Sequence, residues 1–225
     1  MKKGNALILG GTSDIGVSTI KTLKKYFQIY FTYYSNASRA RRLPGIRYQC
    51  DVTNIAQVAE VFQKVPSLDL MVTAAFPYTP TNSLDYHGYR EVEPYLRGHV
   101  AAICLASEKM KSGGKIINLL GQSAIYGMPG GAHYSASFAY LKILGDVINA
   151  EHGRKGKISV HNILLGPVDT KIWKNVSNSV IKKYRRRVQR FMSPQEVAEI
   201  IKQIALSEIG PTQLIYDAFY SLPLL

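Results

Sequence analysis

Acidic residues are scarce in this chain. Fifteen Asp and Glu stand against 28 Lys and Arg, a formal net charge of +13 at pH 7. Such an excess favours a polyanionic partner, whether nucleic acid, an acidic protein or a phosphorylated ligand, without choosing among them. The shortage is also local. From Thr170 to Gln195 there is no acid, while Lys171, Lys174, Lys182, Lys183, Arg185, Arg186, Arg187 and Arg190 crowd that span. Cysteine is nearly missing too. Cys50 and Cys104 stand in no metal-like spacing, so a disulfide framework is excluded, no metal site is expected, and two buried, reduced thiols in a cytoplasmic protein are. Long apolar runs are absent. The start MKKGNALILG has the look of a signal peptide, but Ala6 to Leu9 falls well short of the ~7–15 residues of its apolar core. No stretch approaches the ~18–20 apolar residues of a membrane span, so no membrane partner is expected.

What is present is a hydrophobic fraction of 46% over 225 residues, enough to bury a core as one domain spanning 1–225. Short β-branched runs alternate with segments of helical period. ALILG (6–10), QIYFTYY (28–34), LDLMVTAAF (68–76), GKIINLLG (114–121), ISVHNILLG (158–166) and QLIYD (213–217) read as strands. Between them run helices: 14–27, one opening at Asp51, one containing Pro94 as an obstacle or kink, Tyr134 to His152, and 193–206. In that last helix Ser193, Pro194 and Glu196 spell a capping box. Such alternation predicts a doubly wound, Rossmann-like parallel sheet with helices on both faces.

Between the first strand and the first helix lies GGTSDIG, Gly10 to Gly16. A glycine turn in that place either brings backbone N–H groups to a pyrophosphate or is a tight turn without a ligand. LGGTSDIG (9–16), CDVTN (50–54), GPVDT (166–170), SPQEVAEII (193–201) and YDAFYSL (216–222) occur in one order. Together they resemble the motifs of the short-chain dehydrogenase/reductase family, acyl-carrier-protein ketoreductases included. The resemblance implies NADP(H) or NAD(H) at Gly10, Thr12, Ser13, Ile15 and Gly16, with Asp51 and Val52 at the adenine and Gly166 and Thr170 near the nicotinamide carboxamide. NAD-specific sites carry an acid at the end of the second strand. This chain has TYYSNASRARR there, so Ser35, Asn36 and Arg39 favour the 2′-phosphate of NADP(H), or else Arg39, Arg41 and Arg42 form a solvated basic face.

The family's carbonyl chemistry uses a tyrosine, a lysine one turn later, a serine and an asparagine. The cation matters because a phenol titrates near ~10 unless a positive charge favours its phenolate. Laid on this chain, the tyrosine is Tyr134. The lysine place is Phe138, the serine place Gly121 and the asparagine place Tyr95. Phe76 stands where a glycine gives the cofactor room, and Asp14 puts a carboxylate near the pyrophosphate. Lys142 lies too far along the helix to replace the lysine, and His133 is a substitute acid/base or simply a solvated or capping residue. Tyr134 itself packs or donates a hydrogen bond.

Residues 168–192 correspond to the family's substrate lid. Their charge favours an acyl carrier protein, CoA or another phosphorylated substrate, against a solvated amphipathic helix with Trp173, Val176, Val180, Ile181, Tyr184 and Val188 inward. The resemblance also implies a homo- or hetero-oligomer through the long helices at about 95–111 and 134–152 and the last strand. The expected functions, in order, are an NADP(H)-binding reductase-like enzyme of acyl or polyketide intermediates with altered catalytic residues, an inactive subunit of an active partner reductase, and a dinucleotide sensor or nucleic-acid binder.

Overall fold

The computed structural model describes residues 4–78, 84–153, 156–176, 178–188, 190–208 and 212–216. Seven strands form one sheet: β1 (Asn5–Leu9), β2 (Gln28–Tyr33), β3 (Ile46–Gln49), β4 (Leu68–Thr73), β5 (Met110–Gly121), β6 (Ile158–Leu165) and β7 (Gln213–Tyr216). Their order is 3-2-1-4-5-6-7 and every pairing is parallel. The helices are α1 (Asp14–Leu23), α2 (Ala37–Arg41), α3 (Ile55–Lys64), α4 (Tyr86–Lys109), α5 (Ser123–Tyr126), α6 (Ala132–His152), α7 (Asn178–Arg187) and α8 (Pro194–Leu206), with a 3-10 turn at Lys171–Asn175.

Residues on either side of each strand enter different cores. Leu7 and Leu9 face a core completed by α3, α4 and α6. Ala6 and Ile8 face a second one, completed by α1, α2 and α8. Both faces are covered, which is why the strands read as continuous apolar runs. The capping box predicted for α8 forms: Ser193 Oγ accepts the Glu196 N–H at 3.1 Å and the Glu196 carboxylate accepts the Ser193 N–H at 2.8 Å. At the other end of α8, the Lys115 ammonium donates to the carbonyls of Ile204 and Ser207, satisfying groups a helix C-terminus leaves open.

Several expectations are corrected. β4 stops at Thr73: the Ala74 N–H still donates to the Leu9 carbonyl at 2.9 Å, but Ala75 and Phe76 do not extend the strand. Pro94 sits inside an unbroken α4. Cys50 is buried, but Cys104 lies exposed on α4. The sequence reading passed over β3, α2 and α5, whose short lengths give periodicity little to work with. From Asp217 onward the closing motif lies outside the described residues, as do the side chains of Val180, Tyr184, Lys183 and Arg187. Trp173, Val176 and Ile181 are partly buried and Val188 is buried, while Lys182, Arg185 and Arg186 are exposed. The basic segment is pinned at both ends: Trp173 Nε1 donates to the Val168 carbonyl at 2.7 Å, and Asp169 and Met192 bridge backbone to backbone. Among the described residues no helix is long and apolar enough to cross a membrane.

Candidate functional site

The strand order reverses between β1 and β4, and open α/β sheets bind ligands beyond the carboxyl ends of strands at such a point. Here the chain leaves β1 through Gly10, whose φ is 77°. A Cβ on it would stand 2.6 Å from the Ala74 carbonyl oxygen, so only glycine lets the turn pass the end of β4. The Gly10 N–H donates to Thr32 Oγ1 at 2.9 Å and the Gly11 N–H to the Thr32 carbonyl at 2.8 Å, tying the turn to β2. Ser13 caps α1, its Oγ accepting the Gly16 N–H at 3.0 Å. The N–H groups of Asp14 and Ile15 have no acceptor among the described residues. They stand at the positive end of the helix dipole, a place that suits an anion. Gly10, Thr12 and Ser13 thus lie on the turn, and Ile15 and Gly16 in the first turn of α1.

Arg39 does not face outward. Its Nη2 donates to Asp14 Oδ1 at 2.8 Å and its Nη1 to the Thr12 carbonyl at 3.0 Å. The other Asp14 oxygen accepts the Lys171 N–H at 2.8 Å. Burial pushes the Asp14 carboxyl up, but the Lys171 N–H and the Arg39 guanidinium outweigh it and hold the group below the usual carboxylate range. Asp14 therefore joins three segments, a role the sequence reading did not assign. No local signal marked it, because Arg39 and Lys171 lie 25 and 157 residues away along the chain. Asn36 is spent on capping α2, its Oδ1 accepting the Arg39 N–H at 3.0 Å, and Ser35 is exposed. Asp51 Oδ1 accepts the Thr53 N–H at 2.9 Å and its hydroxyl at 2.7 Å, and Val52 is buried. Past β6 and Gly166, a cavity of about 420 Å³ is lined by Asp14, Asp169, Thr170, Lys171, Trp173 and Lys174.

The other end of the crevice is made of rings. Tyr134 and Phe138 share a face of α6, ring centroids 4.3 Å apart. Phe76, carried in by the turn after β4, sits at the centre, 5.0 Å from Phe138, 5.1 Å from His99, 5.7 Å from Tyr134 and 5.9 Å from Tyr95. Tyr78 closes the outer side, edge-on to Tyr134 at 5.4 Å, its hydroxyl donating to the Gly130 carbonyl. Phe138 is only 3% exposed. A Cβ on Gly121 would lie 3.3 Å from its ring, so the missing side chain at 121 is what seats the ring at 138. Ser123, two residues on, has its Oγ buried without a partner among the described residues.

Three titratable groups packed in this cluster, His99, Tyr78 and Tyr95, are neutral near pH 7. Burial pulls His99 down to about 4, and its Nδ1–H donates to the Tyr95 carbonyl with 2.8 Å between nitrogen and oxygen. Burial pushes the phenols of Tyr78 and Tyr95 up, Tyr95 further so by Asp51 and Tyr34. Lys142 does not turn toward Tyr134: its Nζ pairs with Asp146 at 2.8 Å. His133 lies outside the cluster, its Nε2 3.2 Å from the Asp85 carbonyl and its ring edge-on to Tyr89.

A family model described as short chain dehydrogenase matches residues 4–180. Among solved structures, the chain is similar to BdcA crystallised with NADPH, at 21% identity and TM-score 0.84, covering 99% of this chain and 97% of that one. It is similar to a dehydrogenase/reductase from Sinorhizobium meliloti 1021, at 22% identity and TM-score 0.85, covering 97% and 95%. It is likewise similar to a short chain dehydrogenase from Burkholderia cenocepacia J2315 crystallised with NADP, at 21% identity and TM-score 0.84, covering 97% and 98%. No curated protein matches.

Proposed function

The chain belongs to the short chain dehydrogenase family, and from that premise we propose that it is an NADP(H)-binding member that has lost hydride transfer and serves as a subunit stabilising or regulating an active partner reductase. The observation that carries this reading is Phe76 wedged among Tyr95, His99, Tyr134 and Phe138. The two halves of the cofactor fit differently. The turn offers the unpaired N–H groups of Asp14 and Ile15 to a phosphate. The ring cluster does not fit a nicotinamide: Phe138 fills the place the family gives to lysine, and seats its ring against Gly121. The cation that would favour a Tyr134 phenolate is therefore replaced by a hydrocarbon.

Support for a subunit role comes from α6. Tyr140, Ile143 and Val147 stand on one face of it at 52%, 56% and 46% exposure, an apolar stripe at helical spacing. A homo- or hetero-oligomer through α4 and α6 would cover it. Titration of the purified protein with NADPH, with NADH for comparison, tests the reading together with a model-ketone assay. NADPH-selective binding without turnover is the expected result; turnover sinks the subunit role, and no binding sinks the nucleotide role.

One observation favours a second reading, an altered oxidoreductase of acyl intermediates. Lys171 and Lys174 line the cavity, and Lys182, Arg185 and Arg186 are exposed on the segment beyond it, a charge pattern suited to CoA or an acyl carrier protein. Salt-sensitive binding of acyl-CoA, with NADPH oxidation, is its signature.

A further inference from the structure

Beside the glycine turn, Arg39 and the Lys171 N–H already hold an anion, and it is the protein's own. Asp14 Oδ1 takes the Arg39 guanidinium and Oδ2 takes the Lys171 N–H, both at 2.8 Å. The side chains of Arg39 and Asp14 are 28% and 17% exposed, so the pair is shielded on most sides. The same carboxylate lines the 420 Å³ cavity with Lys171, Lys174 and Trp173. The Asp14 and Ile15 N–H groups stay open, but the Arg39 guanidinium and the Lys171 N–H, which a phosphate there would also seek, are held by Asp14, so the charge of Arg39 is offset before any ligand arrives.

We propose that Asp14 is an internal competitor of ligand phosphate, a latch that holds the segment after β6 on the glycine turn and that phosphate must displace from Arg39 and the Lys171 N–H. This rests on the nucleotide-binding reading above. It makes Asp14 a determinant of affinity: the site takes a ligand phosphate only at the expense of the latch, and ligand binding and release of residues 170–174 are one event.

The chain has a single tryptophan, so the emission of Trp173 reports the cavity alone. Asp14→Asn keeps the shape and removes the charge; Asp14→Ala, checked for native circular dichroism, removes both acceptors. Each variant and the parent are titrated with inorganic pyrophosphate and with NADPH, following Trp173 and the rate of tryptic cleavage after Lys171. Both variants are expected to bind both probes about tenfold more tightly or better, since a like charge leaves the phosphate site. Without ligand they are expected to show the Trp173 emission and the faster cleavage that the parent shows only with saturating pyrophosphate. Equal affinities in parent and variants overturn the latch while leaving nucleotide binding intact. Tighter pyrophosphate with no NADPH binding by any form keeps the latch and sinks the nucleotide reading. Failure of every form to bind pyrophosphate overturns the latch outright.

Discussion

At the glycine turn the backbone exposes donors, and charged side chains from three segments meet over a cavity; at the other end of the same crevice, neutral rings pack on one another and on a bare glycine. The turn is held by a few directional bonds: Arg39 and Lys171 on Asp14, Thr32 on Gly10 and Gly11. The ring end is held by close packing, and a packed core tolerates neither added volume nor an unpaired charge. A family member that had lost only its ligand would be expected to leave both ends loose. Here one end holds polar groups in directional bonds, and the other is packed as core.

The largest effect is expected where the contrast is sharpest. Phe138→Lys places an ammonium among Phe76, Tyr134 and Gly121 and should cost about 3–5 kcal/mol, the usual range for an uncompensated buried charge. Urea denaturation measures it; a variant as stable as the parent would mean the ring end is open to water. Next comes acid. His99 carries its proton in the unfolded chain below about 6.5 but in the fold only below about 4, so its contribution is whole above the first value and is lost as pH falls through that window. The loss from this group is about 3 kcal/mol, and His99→Gln should flatten the stability profile between those pH values. A parent whose stability does not fall there would mean that His99 is solvated.

Gly121→Ser tests the seat of Phe138 directly. The added atoms press on the ring and should destabilise by about 1–3 kcal/mol. Phe138→Leu in the same chain should recover part of that, and additive effects would deny the contact between 121 and 138. At the turn end the expected change is smallest: Asp14→Asn should alter stability by less than about 1 kcal/mol, as for other partly exposed ion pairs. A loss as large as that of Phe138→Lys would erase the distinction between the two ends.

Much of this was legible in the chain. The strand and helix alternation carries the sheet, because burial on both faces leaves a run of apolar residues that periodicity detects. Ser193, Pro194 and Glu196 announced α8, since a capping box is a local device. The glycine turn was legible for the same reason. Short elements such as β3 and α2 were not, and β4 was read three residues too long, because Ala74, Ala75 and Phe76 are as apolar as the strand before them. Nothing local marks the point where the chain turns away from the sheet.

By itself, the sequence determined the parallel sheet, the glycine turn at its switch point and a phenylalanine one turn after Tyr134. These depend on neighbours in the chain, where spacing translates directly into geometry. Only the tertiary structure decided that Phe76, Tyr95, His99 and Phe138 share one cluster, that Gly121 makes room for it, and that Asp14 reaches both Arg39 and Lys171. Those contacts join residues as far apart as 14 and 171. Long-range partners are chosen by how the layers pack, and packing leaves no mark in the spacing of residues along the chain.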